Sequence, residues 1–189
     1  MRQTCTLIIL FFSIACNRPA VQKNDITKIE IATGYCWGHC QKTAVSIDSS
    51  LNYKYYGGDG DEGDYSGWIP DSAAAYKRSR LHGYYCGKIS KAFWDTLNNR
   101  MNAIYYQKMD TTYTPANDDQ RLEIIIHYKG TAKHITGSLL GFRPKVTDVF
   151  GWIINSYREI KPCAFNGVLR FETTLQNGMH KKRSLPVTN

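Results

Sequence analysis

Two stretches of strict alternation flank a short turn bracketed by cysteines, and this arrangement restricts the fold more than anything else in the chain. From Ile26 to Thr33, Ile29 and Ile31 fall on one face, with Lys28 and Glu30 on the other. From Lys42 to Asp48, Thr43, Val45 and Ile47 fall together. A period of two marks half-buried strands. Between them lies Tyr35-Cys36-Trp37-Gly38-His39-Cys40. Asp48-Ser49-Ser50 then turns the chain into a third alternating run, Leu51, Tyr53 and Tyr55, and Tyr84 to Ile89 reads as a fourth. Ser90 is placed to cap a helix reaching about Ile104, with Phe93, Trp94, Leu97, Met101 and Ile104 on one stripe. Tyr105 to Gln120 reads as a loop. Arg121 to Tyr128 and Thr131 to Thr136 form a hairpin about Lys129-Gly130. Pro144 opens a last helix carrying Val146, Val149, Phe150, Ile153, Ile154 and Tyr157 at helical spacing, and Val168 to Thr173 reads as a final strand. Strands in runs joined by short turns predict an α+β fold: an antiparallel sheet of about five to six strands, two main helices packed on one face, and a short inserted helix. The chain's 189 residues make one domain with a sizeable core. Its 42% hydrophobic and 21% charged content rules out wholesale disorder.

The N-terminus sets the address. Arg2 precedes the apolar run Leu7-Ile8-Ile9-Leu10-Phe11-Phe12. That run is too short for a bilayer, which needs about 20 apolar residues, but suits a secretory signal. It ends in Ser13-Ile14-Ala15-Cys16, which resembles the lipobox of bacterial lipoproteins, with Ser13 where leucine is more usual. The resemblance implies a signal peptide over 1–15 and a lipid on Cys16. Asn17 supplies no acidic retention signal, which points to the outer membrane, facing the periplasm. The chain then divides into a tether over 16–25, a single domain over 26–174 with an insertion at 58–82, and a basic tail over 175–189 containing His180-Lys181-Lys182-Arg183. Expected partners are the membrane, through the lipid, and an envelope protein or glycan. The net charge of +8 suits acidic surfaces, and an exported address excludes nucleic acid.

Cys5 leaves with the signal and Cys16 takes lipid, so Cys36, Cys40, Cys86 and Cys163 remain, with three pairings open to them. An oxidising compartment favours bridges. Gly38 gives the backbone freedom to close a Cys36–Cys40 ring, which leaves Cys86 and Cys163 to each other. Two other readings stand beside this one. Cys36, His39 and Cys40 supply three metal ligands but no fourth. A redox thiol pair lacks both the Cys-x-x-Cys spacing and a surrounding βαβ pattern. Tyr35, Trp37, Tyr53 and Tyr55 read first as aromatic core and strand surface, with a binding patch beside the turn, including His39, as the alternative. A two-residue hairpin turn sets His127 opposite Ala132 and makes His134 its diagonal same-face neighbour. Without a third ligand these read as a solvated face, so no metal and no cofactor are expected. In the insertion, Gly58, Gly60 and Gly63 spell G-x-G-x-x-G, but the acidic residues between them repel a pyrophosphate. Asp59, Asp61 and Asp64 miss the EF-hand spacing. Asp71 or Ser72 caps a short helix through Ala73 to Tyr76 that Gly83 stops.

Cys36-Trp37-Gly38-His39-Cys40, the tyrosine-rich Tyr53 to Gly57, Gly87-Lys88-Ile89-Ser90, the hairpin Ile124 to Ile135 and the helix after Pro144 together resemble a domain-of-unknown-function family of exported bacterial lipoproteins. The likeness runs from Ile26 to Tyr157. The chain departs from that pattern at Gln41, where the family usually has proline, and in the insertion at 58–82. The resemblance implies fold and location and carries no activity. With no G-x-S-x-G, H-E-x-x-H or P-loop spacing in the sequence, the expected function is a non-enzymatic binding or structural domain of the envelope. The alternative is a thiol-redox or metal-dependent enzyme centred on Cys36 and Cys40.

Overall fold

A computed structural model describes residues 26–34, 40–60, 81–114 and 119–177. The expectations for the signal and tether (1–25), the turn residues 35–39, the inserted helix, the acidic loop from 61 onward and the tail beyond 177 lie outside the described residues, while Gly58 to Gly60, read as the start of that loop, continue a strand paired with the one before it.

The elements run β1 (Ile26–Thr33), β2 (Gln41–Asp48), β3 (Asn52–Gly60), β4 (Gly83–Lys88), α1 (Lys91–Ala103), β5 (Arg121–Tyr128), β6 (Thr131–Ser138), α2 (Pro144–Ile154), the single turn α3 (Tyr157–Ile160) and β7 (Cys163–Ala164). The strands form a seven-stranded sheet in the order β6-β5-β1-β2-β3-β4-β7, every pairing antiparallel. The fold is therefore mixed α and β, with more strands than expected because of the two-residue β7.

Alternation sets the register. Ile31 lies opposite Val45 on one side and Ile124 on the other, and Ile29 lies likewise between Ile47 and Ile126. All six are fully buried, so a slip of one residue would turn every one of them out of the core. α2 packs against β1 and β2, and α1 packs against α2. Ser90 caps α1 by accepting from the Phe93 N–H. Trp152 of α2 stacks on Phe93 at 4.7 Å, and the Arg100 guanidinium lies 4.5 Å over the same ring. The β5–β6 turn holds Lys129 at φ 49° and Gly130 at φ 74°. Positive φ at both central residues gives the twist that a two-residue hairpin needs.

Two expectations change. Val168 to Thr173 is not a strand. Its Glu172 and Thr173 N–H groups bond the Glu30 carboxylate rather than a neighbouring backbone. Glu30 itself, read from its alternation as solvent-facing, is completely buried, because the C-terminal segment lies over that side of the sheet.

Candidate functional site

The cysteine turn rises from a tightly bonded stem. Thr33 Oγ1 donates to Gln41 O at 3.2 Å and accepts from Thr43 N at 2.8 Å. Gln120 Nε2 reaches Gly34 O at 3.1 Å and Gln41 O at 2.9 Å, so one amide joins both sides of the stem. The Gln41 side chain looks the other way. Its Nε2 donates to Gly58 O at 2.9 Å and to Leu81 O at 2.8 Å, clamping the two ends of the insertion. Cys40, half-buried immediately before β2, is not a free thiol.

For Tyr53 and Tyr55 the core reading holds and the binding patch does not. Tyr53 and Tyr55 are 1% and 0% exposed. Both belong to the hydrophobic core, where Tyr55 packs 5.0 Å from the Tyr157 ring and the Tyr53 hydroxyl shares a 3.0 Å hydrogen bond with Ser156. Burial pushes the Tyr53 phenol well above its ordinary range, and the Ser156 bond only partly offsets this. Tyr35, Cys36, Trp37 and His39 lie outside the described residues.

The sheet face opposite the apolar one carries a polar cluster. One cross-strand row runs Cys163, Cys86, Lys54, Ser46, Glu30, Ile125, His134. Glu30 Oε1 accepts from the N–H groups of Glu172 and Thr173, the latter at 2.8 Å, and from Thr173 Oγ1 at 3.2 Å. Glu123 Oε2 accepts from Thr174 N at 2.7 Å, Thr174 Oγ1 at 3.1 Å and Leu175 N at 2.9 Å. Two buried carboxylates thus clasp consecutive amides of a C-terminal strap. Around them, Lys28 Nζ lies 2.8 Å from Glu30 Oε2 and 2.6 Å from Glu172 Oε1. His127 bonds Glu172 at 2.9 Å, and His134 bonds Glu123 at 3.0 Å. Partial burial disfavours the Lys28 charge, but the bonds to Glu172 and Glu30 outweigh it and raise its pKa. The same Lys28 bond lowers that of Glu172. The hairpin register is the expected one, with His127 opposite Ala132. The two imidazoles turn to different carboxylates, and no group of three or more metal-ligating side chains occurs among the described residues. The expected Cys86–Cys163 bridge is not formed: both are free thiols, placed directly opposite each other on β4 and β7.

A surface cleft of about 410 Å³ opens where the chain leaves α1 and enters α2. Ile104, Met109 and Val146 give it an apolar floor, and Tyr105, Tyr113, Lys108, Asp110 and Arg143 line it. Tyr105 is 68% exposed and sits at φ 54°, a left-handed conformation that bulky residues rarely adopt and that surrounding structure must hold. Lys133 Nζ pins the loop through Gln107 O at 2.9 Å. The Tyr113 ring packs on Phe142 at 4.4 Å. Neither Lys108 nor Arg143 has an ion-pair partner among the described residues. The connection that delivers Arg143 is tied to the turn stem, since Leu139 N donates to Gln120 O at 3.1 Å.

Sequence reasoning missed both the cleft and the clasp. The tyrosines at 105 and 113 were a signal for the cleft, lying in a stretch read as loop. Glu30 gave no local signal for the clasp, because its partners in the strap lie about 140 residues away. A family model described as a domain of unknown function (DUF6438) matches residues 27–157. No curated protein matches the chain.

Proposed function

The chain belongs to the DUF6438 family, and on that footing we propose that it is a lipid-anchored, non-enzymatic binding domain of the bacterial envelope whose cleft takes an acidic glycan. The cleft carries this reading. Tyr105 and Tyr113 offer ring faces to sugar carbons, and Arg143 and Lys108 supply the charge for a uronate carboxylate, the guanidinium in a bidentate fork. The strained Tyr105 keeps its ring outside the core, where a ligand reaches it. The buried acids Glu30 and Glu123 are engaged with the strap, which fits a structural rather than a catalytic role. In this reading Cys16 carries the lipid, and a Cys36–Cys40 bridge rigidifies the turn. The state of Cys40, and the free thiols of Cys86 and Cys163, support that pairing over the two others.

The test is titration of the full chain in detergent with oligogalacturonate and with a neutral maltooligosaccharide of equal length. The acidic sugar should bind and the neutral one should not. Arg143→Ala and Tyr105→Ala should each weaken binding by about 5- to 50-fold, the range of a truncated charged or aromatic anchor. Equal binding of the two sugars, no binding of either, or an Arg143→Ala variant that binds as tightly as the parent would defeat the glycan reading.

A further inference from the structure

We infer that Cys86 and Cys163 form a dithiol modification site that exchanges with a low-molecular-weight disulfide and, once closed, latches the C-terminal strap to the sheet edge. Register carries the inference. Cys86 faces Cys163 across the β4–β7 ladder, beside the Phe165 N–H bond to Tyr84 O at 2.8 Å. Directly opposed residues in an antiparallel ladder have Cα atoms about 4.5–5.5 Å apart, inside the window of about 4.4–6.8 Å that a disulfide requires. Both thiols are free, Cys163 exposed and Cys86 half-buried, so a small reagent meets Cys163 first.

The exchange balances. The Cys163 thiolate attacks one sulfur of the external disulfide RSSR, forming a mixed disulfide and releasing RS⁻. The Cys86 thiolate then attacks Sγ of Cys163 and releases the second RS⁻. The two cysteine protons end on the two leaving thiolates. Two cysteine thiols are oxidised by two electrons in all, and RSSR is reduced to two RSH.

The rest of the fold gives this bond a consequence. Cys86 lies within the family domain and Cys163 beyond its end at residue 157. Cys163 starts the segment that crosses the sheet face from β7 and reaches the Glu30 and Glu123 carboxylates at Glu172 to Leu175. Four strand spacings make about 19 Å, which ten residues span with slack. The strap therefore has a carboxylate clasp at one end and at the other a strand of only two residues. A ladder that short frays readily. A covalent tie at Cys163 holds it closed and keeps the edge of β4 covered, where an open edge offers unpaired groups to another chain.

The experiment uses the full chain in detergent, equilibrated across glutathione buffers of different oxidised-to-reduced ratio. Readouts are non-reducing peptide mapping and amide exchange at Phe165. In oxidising buffer a Cys86–Cys163 peptide two hydrogens lighter than its reduced form should appear. The Phe165 amide should exchange roughly tenfold more slowly or better, because its opening is now tethered. Cys86→Ser isolates the effect from any other bridge: its Phe165 exchange should be the same in both buffers. Glutathione adducts on both cysteines without a bridging peptide, or a bridge that leaves Phe165 exchange unchanged relative to Cys86→Ser, would overturn the inference.

Discussion

Glu30 concentrates the physics of this sheet in one carboxylate. It is buried, it accepts from two backbone N–H groups and a hydroxyl of the strap, and it faces the Lys28 ammonium at 2.8 Å. Removing the acceptor leaves those donors to find water, so Glu30→Ala should lower stability in urea melts by about 2–3 kcal/mol. Glu30→Gln keeps one acceptor oxygen and should cost less. The same cluster sets a pH dependence. The Glu172 pKa is lowered from 4.5, so its contribution is complete above that value and disappears as pH falls through the folded-state pKa. Lys28 is raised from 10.5, so its contribution is complete below that value and disappears as pH rises through the folded-state pKa. Lys28→Met should therefore flatten the pH profile of the urea midpoint at both ends and leave the parent's plateau between about 4.5 and 10.5 as the region of greatest difference. None of this was legible at the residue itself. Alternation put Glu30 beside Lys28 on the outer face, correctly, but the segment that makes this face an interior one lies far along the chain.

Elements were legible wherever a local rule decides them. The hydrophobic alternation located β1 and β5 to the residue, the Ser90 cap located α1, and Lys129-Gly130 fixed the hairpin register. The segment from Val168 to Thr173 misled because β-branched and apolar residues mark a strand only when a free backbone edge is available, and here side-chain carboxylates take its amides. The two departures from the family pattern, Gln41 and the insertion at 58–82, become one unit in the fold. Gly58 lies near the end of β3 and Leu81 just before β4, and Gln41 Nε2 holds both carbonyls. Proline has no such donor. Gln41→Pro should therefore preserve the sheet but speed amide exchange around Gly58 and Leu81 relative to β1, and uniform exchange throughout would count against the clamp. Gly57 marks how closely the stems approach. A Cβ there would stand 2.0 Å from Leu81 O and 2.8 Å from Gln41 Nε2. Gly57→Ala must displace backbone, and should cost about 2–4 kcal/mol in urea or thermal unfolding.

At the scale of the whole molecule, address and architecture separate. No helix among the described residues is long and apolar enough to cross a membrane, and in the proposed reading the lipid on Cys16 does the anchoring. Cys16→Ser should then move the protein from the membrane to the soluble fraction, and unchanged fractionation would refute that anchor. Architecture divides near Tyr157. The buried hydrophobic cluster ends at that residue, the first of α3, and so does the family match, while the rest of α3, β7 and the strap lie beyond. The strap therefore covers a finished core rather than completing it. A chain ending at Pro162 should still fold and melt cooperatively, because truncation removes no member of the buried hydrophobic cluster. Its Glu30 and Glu123 carboxylates become solvated instead of orphaned, so the cost is the strap's own contribution, about 3–5 kcal/mol for a set of charge-assisted bonds less the entropy of ordering the segment. The comparison that decides this is a cycle. Glu30→Ala in the full chain cannot cost more than losing the strap altogether, since the strap can detach. In the truncated chain, where Glu30 has no strap to hold, the same substitution should cost less than about 0.5 kcal/mol. A truncated chain that fails to melt cooperatively would place the strap inside the folding unit. A full-size effect of Glu30→Ala in its absence would show that the carboxylate supports the sheet itself.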